Sequence, residues 1–390
     1  MGIPRDRDLT SSQWFAIERE LRVLSHGLEQ ELLETAKRDE PILSPTERRH
    51  LDAVLGDLEL RTARAYGFFD TFMDVLTQRL APQLGLLLKG CDVLARDALG
   101  VAHPALRLSA EPVVYLNRGF GAAIVRSDTV LAEVGRNPLP LVQLPYARLQ
   151  EKHNLASLLH EIGHEAIVRL RVRKRLVKAM HRALDGRTTA PVRDRLARWT
   201  LELAPDFWAF GCVGAAQAAT ARDVLSIPPD LAMADSPGPH PPAYLRALMS
   251  FHWCRHAYGR GPWDDWELEW RARHRRRDAN ASTRALLAEA ERVIALASDV
   301  FFRTKLEPLD GRALVELFDL EAVAPTALAL SLRGETTDSE RFLAMRPVHQ
   351  LAVFRLLHER ERISAARLDE SMTQWLFRLA MGRRPPRGES

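Results

Sequence analysis

His160-Glu161-Ile162-Gly163-His164 puts two imidazoles and a carboxylate at spacings that suit one reaction centre. On a helix, residues four apart stand one above the other, so His160 and His164 can aim at a common atom. Neutral imidazole is the commonest protein ligand for a metal ion. Glu161 lies about 100° further round a helix of ~3.6 residues per turn. From there its carboxylate reaches a water beside the metal without ligating the metal itself, which is the position of a general base. The chemistry this favours is hydrolysis by an activated water. A chain of this length and composition produces the pattern by chance roughly 3 times in 100. The surroundings weigh against chance, because Leu155, Leu158, Leu159, Ile162, Ala166 and Ile167 make the segment read as buried. Two buried histidines and a glutamate without partners would be costly, and a metal is their natural partner.

Two histidines leave a tetrahedral zinc one protein ligand short. Glu202, in Trp199-Thr-Leu-Glu202-Leu-Ala-Pro-Asp206-Phe-Trp, is the best candidate. If this segment is helical, Glu202 and Asp206 share a face. Glu202 then binds the metal, while Asp206 accepts a hydrogen bond from the far nitrogen of a ligating histidine and fixes its tautomer. His160-Glu161-x-x-His164 followed by Glu202-x-x-x-Asp206 resembles the gluzincins, the thermolysin-like class of zinc metallopeptidases. The resemblance covers roughly residues 139–210. It implies a zincin-like core and one Zn2+ per chain held by His160, His164 and Glu202, with Glu161 as general base and Asp206 behind a ligand. The chain departs from that pattern in two ways. The second histidine and the glutamate are further apart than in thermolysin, and Pro205 is unexpected inside a ligand helix. It reads as that helix's first turn, which would weaken the pairing of Glu202 with Asp206.

Further on, His240-Pro-Pro-Ala-Tyr244-Leu-Arg246 resembles a piece that many orphan metallopeptidases carry after the glutamate ligand. Hydrolysis leaves negative charge on the former carbonyl oxygen, and His240, Tyr244 or Arg246 can supply a stabilising donor. A plain loop followed by a helix is the alternative. His252 and His256 have no carboxylate between them and read as structural.

The elements that must position these residues are mostly helices. Asp8-Leu-Thr-Ser-Ser starts one, Ser44-Pro45 caps a second, and a third runs through Tyr66, Phe68, Phe69, Phe72, Val75 and Leu80. Between 105 and 147 the pattern turns to short strands, at Leu106–Leu108, Val113–Leu116 and Ala122–Val125. Leu139-Pro-Leu-Val-Gln-Leu-Pro-Tyr follows, and its two prolines point to a sheet edge. An extended peptide can pair with such an edge beside a metal site. The metal helix starts near Gln150 or Asn154 and runs to about Ala183. Its far end is basic, from Arg169 to Arg182, and reads as a solvated face. Trp263, Trp266 and Trp270 read as core, and 282–302, 311–333, 338–360 and 364–382 read as amphipathic helices. The expected fold is mainly α with a small antiparallel sheet (α+β). Its regions are helical 1–104, a zincin-like catalytic core 105–260, and helical 261–390.

At 390 residues the chain can build one large multilobed domain or two domains. The net charge of +4 is too small to argue for nucleic acid. The first residues have no apolar core of a signal peptide, and no apolar run is long enough to span a bilayer. Three scattered cysteines, Cys91, Cys212 and Cys254, suit a reducing compartment. The expectation is a cytoplasmic zinc metallopeptidase acting on a protein or peptide, without nucleic-acid or membrane partners. Two other readings stand beside it. One is a helical partner-binding protein whose zinc is structural or vestigial. The other is a zinc amidase acting on a non-protein amide.

Overall fold

The computed structural model describes residues 8–37, 44–101, 103–107, 111–119, 121–127, 129–131, 135–236, 238–275, 279–331, 337, 339–361 and 363–382. Helices α1 (Ser11–Ala36), α2 (Pro45–Leu80) and α3 (Pro82–Ala98) come first. Thr10 caps α1 through a reciprocal pair with Gln13, and Ser44 with Glu47 does the same for α2, whose first residue is Pro45. The second and third helices expected from the pattern are one. Gly56 and Gly67 are isolated and no proline intervenes, so α2 runs unbroken for 36 residues. Phe68, Phe72 and Val75 bury against Ala16 and Ile17 of α1, while Tyr66 and Phe69 face outward.

Five strands follow: β1 (Val113–Asn117), β2 (Ala123–Val125), β3 (Val130–Leu131), β4 (Gly135–Arg136) and β5 (Leu141–Pro145). β5 pairs in parallel with β1 and antiparallel with β2, giving the order β1-β5-β2, and β3 with β4 makes a separate antiparallel ribbon. The sheet is therefore mixed, not purely antiparallel. β5 is its centre, not its edge. Pro140 precedes the strand and Pro145 closes it, so neither removes a donor from the middle of the ladder, and the Pro140 carbonyl still accepts from Val113 N–H. The outer strand on that side is β2. Pro104–Leu106 forms a 3-10 turn where a strand was expected, and Leu108 lies outside the described residues. A buried ion pair, Arg79–Asp92, anchors the sheet, because Arg79 donates to the Val114 carbonyl and Asp92 accepts its N–H.

The rest is helical: α4 (Ala147–Gln150), α5 (Ala156–Arg169), α6 (Arg173–Leu184), α7 (Ala190–Val213), α8 (Ala215–Val224), α9 (Pro229–Ala232), α10 (Ala243–Tyr258), α11 (Pro262–Arg273), α12 (Ala281–Arg292), α13 (Ile294–Arg303), α14 (Pro325–Ser331), α15 (Glu340–Leu343), α16 (Pro347–Glu359) and α17 (Ala365–Met381). The metal helix expected to reach Ala183 is two helices, broken where Arg171 adopts a left-handed backbone with φ 56°. The expected helix 282–302 divides at Val293, 338–360 divides ahead of Pro347, and 311–333 holds only a 3-10 turn and α14. One core, from Leu88 on α3 to Leu376 on α17, encloses α5 and α7. Trp263 and Trp270 belong to it, and Trp266 packs against it. Among the described residues no helix is long and apolar enough to cross a membrane.

Candidate metal centre

Two helices carry the centre, and a glycine lets them touch. α5 presents His160, Glu161 and His164; α7 presents Glu202 and Asp206. A Cβ on Gly163 would lie 2.8 Å from Pro205 Cα and 2.9 Å from Pro205 O. Such closeness is possible only because Gly163 has no side chain. Pro205 is not in the first turn of its helix. It sits well inside α7, which continues through it, so Glu202 and Asp206 keep their common face. The proline lacks the N–H that would bond the Leu201 carbonyl, and both residues line the cleft beside the centre.

The donor atoms converge. Glu202 Oε2 lies 3.6 Å from His160 Nε2 and 3.6 Å from His164 Nε2. The three ligand atoms fall within 4.8 Å of one another, so His160, His164 and Glu202 form a buried group able to hold a metal ion. Zinc bonds of about 2.0–2.2 Å at tetrahedral angles separate ligand atoms by about 3.4 Å, close to both Glu202–histidine separations. The two imidazoles stand at 90° to each other. Behind them, His160 Nδ1 bonds Asp206 Oδ1 at 2.7 Å, leaving Nε2 for the centre. Arg246 clamps the same carboxylate with two bonds, Nε to Oδ2 at 2.8 Å and Nη2 to Oδ1 at 2.7 Å.

Charge is distributed unevenly over these groups. Burial works against a proton on His160, but the Asp206 carboxylate outweighs it and pushes that imidazole up to about 9. His164 goes the other way, to about 4, because burial and the neighbouring His160 both disfavour its charge. Burial opposes ionisation of Glu202, yet His160, His164 and His240 hold it down at about 2. Asp206 is also held far below the usual carboxylate range, by Arg246 and His160 against burial. Glu161 is raised by burial; His160 counters this and Glu202 adds to it. A carboxyl raised in this way is a better proton acceptor than an ordinary one.

The chain matches no family model, no curated protein and no solved structure. The geometry alone speaks for the site.

The other sequence-derived residues divide. His240 lines the cleft, with Nδ1 3.2 Å from Glu202 Oε2 and its ring largely exposed. Arg246 lines it too, turned onto Asp206. Tyr244 does not: it is buried, and its hydroxyl bonds Glu291 and Arg271. His252 and His256 are also absent from the cleft, and His256 stacks on Phe302 beside Asp299. The cysteines are buried thiols.

The cleft encloses about 620 Å³ between α5, α8, β2 and the loop before α10. Arg148, Gln217 and Thr220 of the cleft were missed by sequence reasoning, and so was Gly163 as the contact point between α5 and α7. Gly163 had left a signal, since a lone glycine inside an apolar helix usually has a packing reason. A second cluster, His153, Asp223 and His358, also brings ligand atoms within 4.8 Å. Its rings are stacked 4.0 Å apart at 19°, so their lone pairs run nearly parallel and do not meet. Both Asp223 oxygens are already taken, one by Arg222 and one by Arg355.

Proposed function

We propose that this chain is a zinc-dependent hydrolase of peptide bonds. One observation carries the reading: a buried His160/His164/Glu202 donor set shares its cleft with Glu161, an acid that, among the described residues, belongs to neither the ligand group nor an ion pair. A zinc ion held by those three residues supplies a Lewis acid that makes water nucleophilic near neutral pH. Glu161 accepts the proton of the attacking water and returns it to the leaving amine. Asp206 holds the tautomer of His160, and Arg246 holds Asp206, so the pair acts by positioning. His240, at the open end of the cleft beside Glu202, is the donor for the developing oxyanion. Tyr244 has no part in this, because its hydroxyl is engaged elsewhere.

A peptide is favoured over other amides by the edge of β2, unpaired among the described residues, whose Ala123 and Ile124 line the cleft. An extended main chain can pair with that edge and lie across the centre. A closed structural site has little to recommend it: Asp206 is committed to His160 and Arg246, and His153 stacks on His358.

The test is metal content by elemental mass spectrometry together with peptide turnover. Wild type should retain about one zinc per chain after dialysis against a weak chelator, and Glu202→Ala should lose most of it. Glu161→Gln should keep the zinc and the fold and lose nearly all hydrolysis. Zinc-free wild type, or undiminished turnover in Glu161→Gln, would overturn the proposal.

A further inference from the structure

Away from the metal ligands, one end of the cleft carries polar side chains that the fold does not satisfy. Arg148, on α4, keeps only 10% of its side chain exposed. Among the described residues its one hydrogen bond runs from Nη1 to Glu151 Oε2 at 2.8 Å, and Glu151 is itself half exposed. Gln217 and Thr220, on α8, are 3% and 2% exposed, and among the described residues Gln217 Oε1 and Thr220 Oγ1 have no hydrogen-bond partner. All three residues line the cleft. Thr220 differs from the other threonines in helix interiors: Thr35, Thr62, Thr77, Thr200 and Thr373 each bond the carbonyl four residues back. A buried hydroxyl that declines this bond is held ready for something else.

The fold brings the elements that carry these residues together. β2 pairs with β5 in the register Ala123↔Gln143 and Val125↔Leu141, so beyond Ala123 the neighbouring chain leads through Pro145 into α4 and Arg148. α8 is tied to the same region by Arg355, which bonds Asn154 just ahead of α5 and both the Ala219 carbonyl and Asp223 on α8. Outside the metal centre, the charged residues of the cleft wall are, among the described residues, Arg126, Arg148 and Arg173, all of one sign.

We propose that this end is a subsite for a carboxylate on the C-terminal side of the scissile bond, bound by Arg148 with Thr220 and Gln217 as neutral partners. The inference rests on the peptidase reading above. A peptide paired antiparallel with the free edge of β2 runs its C-terminal residues past Ala123 toward α4. The guanidinium of Arg148 has further N–H groups in the planar fork that suits a carboxylate. Rotation about χ1 turns the Thr220 hydroxyl to the ligand. Rotation of the Gln217 amide exchanges oxygen for NH2 in nearly the same volume. The carboxylate belongs to an Asp or Glu side chain or to the peptide's own C-terminus.

The test measures binding apart from turnover. Zinc-loaded Glu161→Gln protein is titrated with labelled peptides that carry Asp or Asn at each position, with amidated or free C-termini, and anisotropy reads the affinity. A carboxylate on the C-terminal side should tighten binding about tenfold or more. Arg148→Met should abolish that gain, Arg148→Lys should keep part of it, and the near-isosteric Thr220→Val should reduce it a few-fold. A gain in amidated Asp peptides marks the side chain as the source, and a gain confined to free termini marks the terminal carboxylate. Thr220→Val carries the test if Arg148→Met no longer melts cooperatively. Equal binding of all peptides, or a preference confined to the N-terminal side, overturns the subsite. Cleavage of the same peptides by wild type reports on the other reading. Acid-selective binding without cleavage leaves the subsite standing and removes the peptidase, whereas cleavage without acid preference does the reverse.

Discussion

Asp206 is the residue that orders the candidate centre, although it stands outside the His160/His164/Glu202 group. Its carboxylate takes the Nδ1 side of His160 and is gripped in turn by Arg246, so one imidazole is fixed in tautomer and orientation before any ion arrives. Replacing it tests charge separately from shape. In Asp206→Asn the carboxamide can still accept from Nδ1, but the negative charge that makes His160 more basic is gone. Zinc affinity, measured by competition with a chromophoric chelator, should fall about tenfold or more. An unchanged affinity would mean that Asp206 supports the fold and not the ligand. Glu161 stands in contrast to it: burial raises its carboxyl.

At the scale of elements, the decisive contact is between α5 and α7. Gly163 meets the backbone of Pro205, which cannot move aside as a flexible side chain would. Gly163→Ala should therefore destabilise the protein by about 1–3 kcal/mol, the usual cost of overpacking, and weaken zinc binding by spreading the helices. Gly56, inside α2, has nothing within 4 Å of its would-be Cβ. There the same change should stabilise by roughly 0.5–1 kcal/mol through helix propensity alone. Urea unfolding of the two variants, with and without zinc, reads both signs. If Gly163→Ala proved neutral, the close approach would not be what sets the ligand spacing. The sequence showed each ligand helix separately. It misread Pro205 as a helix start, because proline is usual in a first turn and α7 tolerates it further in.

Across the whole molecule, Arg355 joins distant parts of the chain: the entry to α5, α8, and Glu359 on its own helix α16. His153 stacks on His358 beside it. Burial, then His358 and Arg355, push His153 down to about 4, while Asp223 and Glu151 oppose them weakly. His153 is thus neutral in the fold, whereas in the unfolded chain it titrates near the ordinary 6.5. A base depressed in this way favours the fold fully above about pH 6.5, and that contribution is lost as the pH falls from 6.5 toward 4. The melting temperature of chelator-treated protein should drop across this window. His153→Phe, which keeps a ring on His358, should flatten the drop. Parallel curves for the two proteins would show that His153 does not govern it.

Relations inside one helix were legible from the start, because a period of about 3.6 residues fixes which side chains share a face wherever the helix goes. That is why spacing could place His160 with His164 and Glu161 beside them, whereas Glu202 with Asp206 rested also on the expectation of a helix and on a resemblance. The capped starts of α1 and α2 were legible for the same local reason. Relations between elements were not. Whether β5 is an edge or a centre depends on β1 and β2, which pair on either side of it. Tyr244 and Arg246 lie two residues apart on one helix, yet one is buried against Glu291 and the other clamps Asp206. Arg148, Gln217 and Thr220 carry no motif at all. They reach one cleft only because α4, α5 and α8 are packed by a core that runs from Leu88 to Leu376. The sequence determined which candidate donors share a helix face, and tertiary packing decided what surrounds them, since no local period spans the chain that separates those elements.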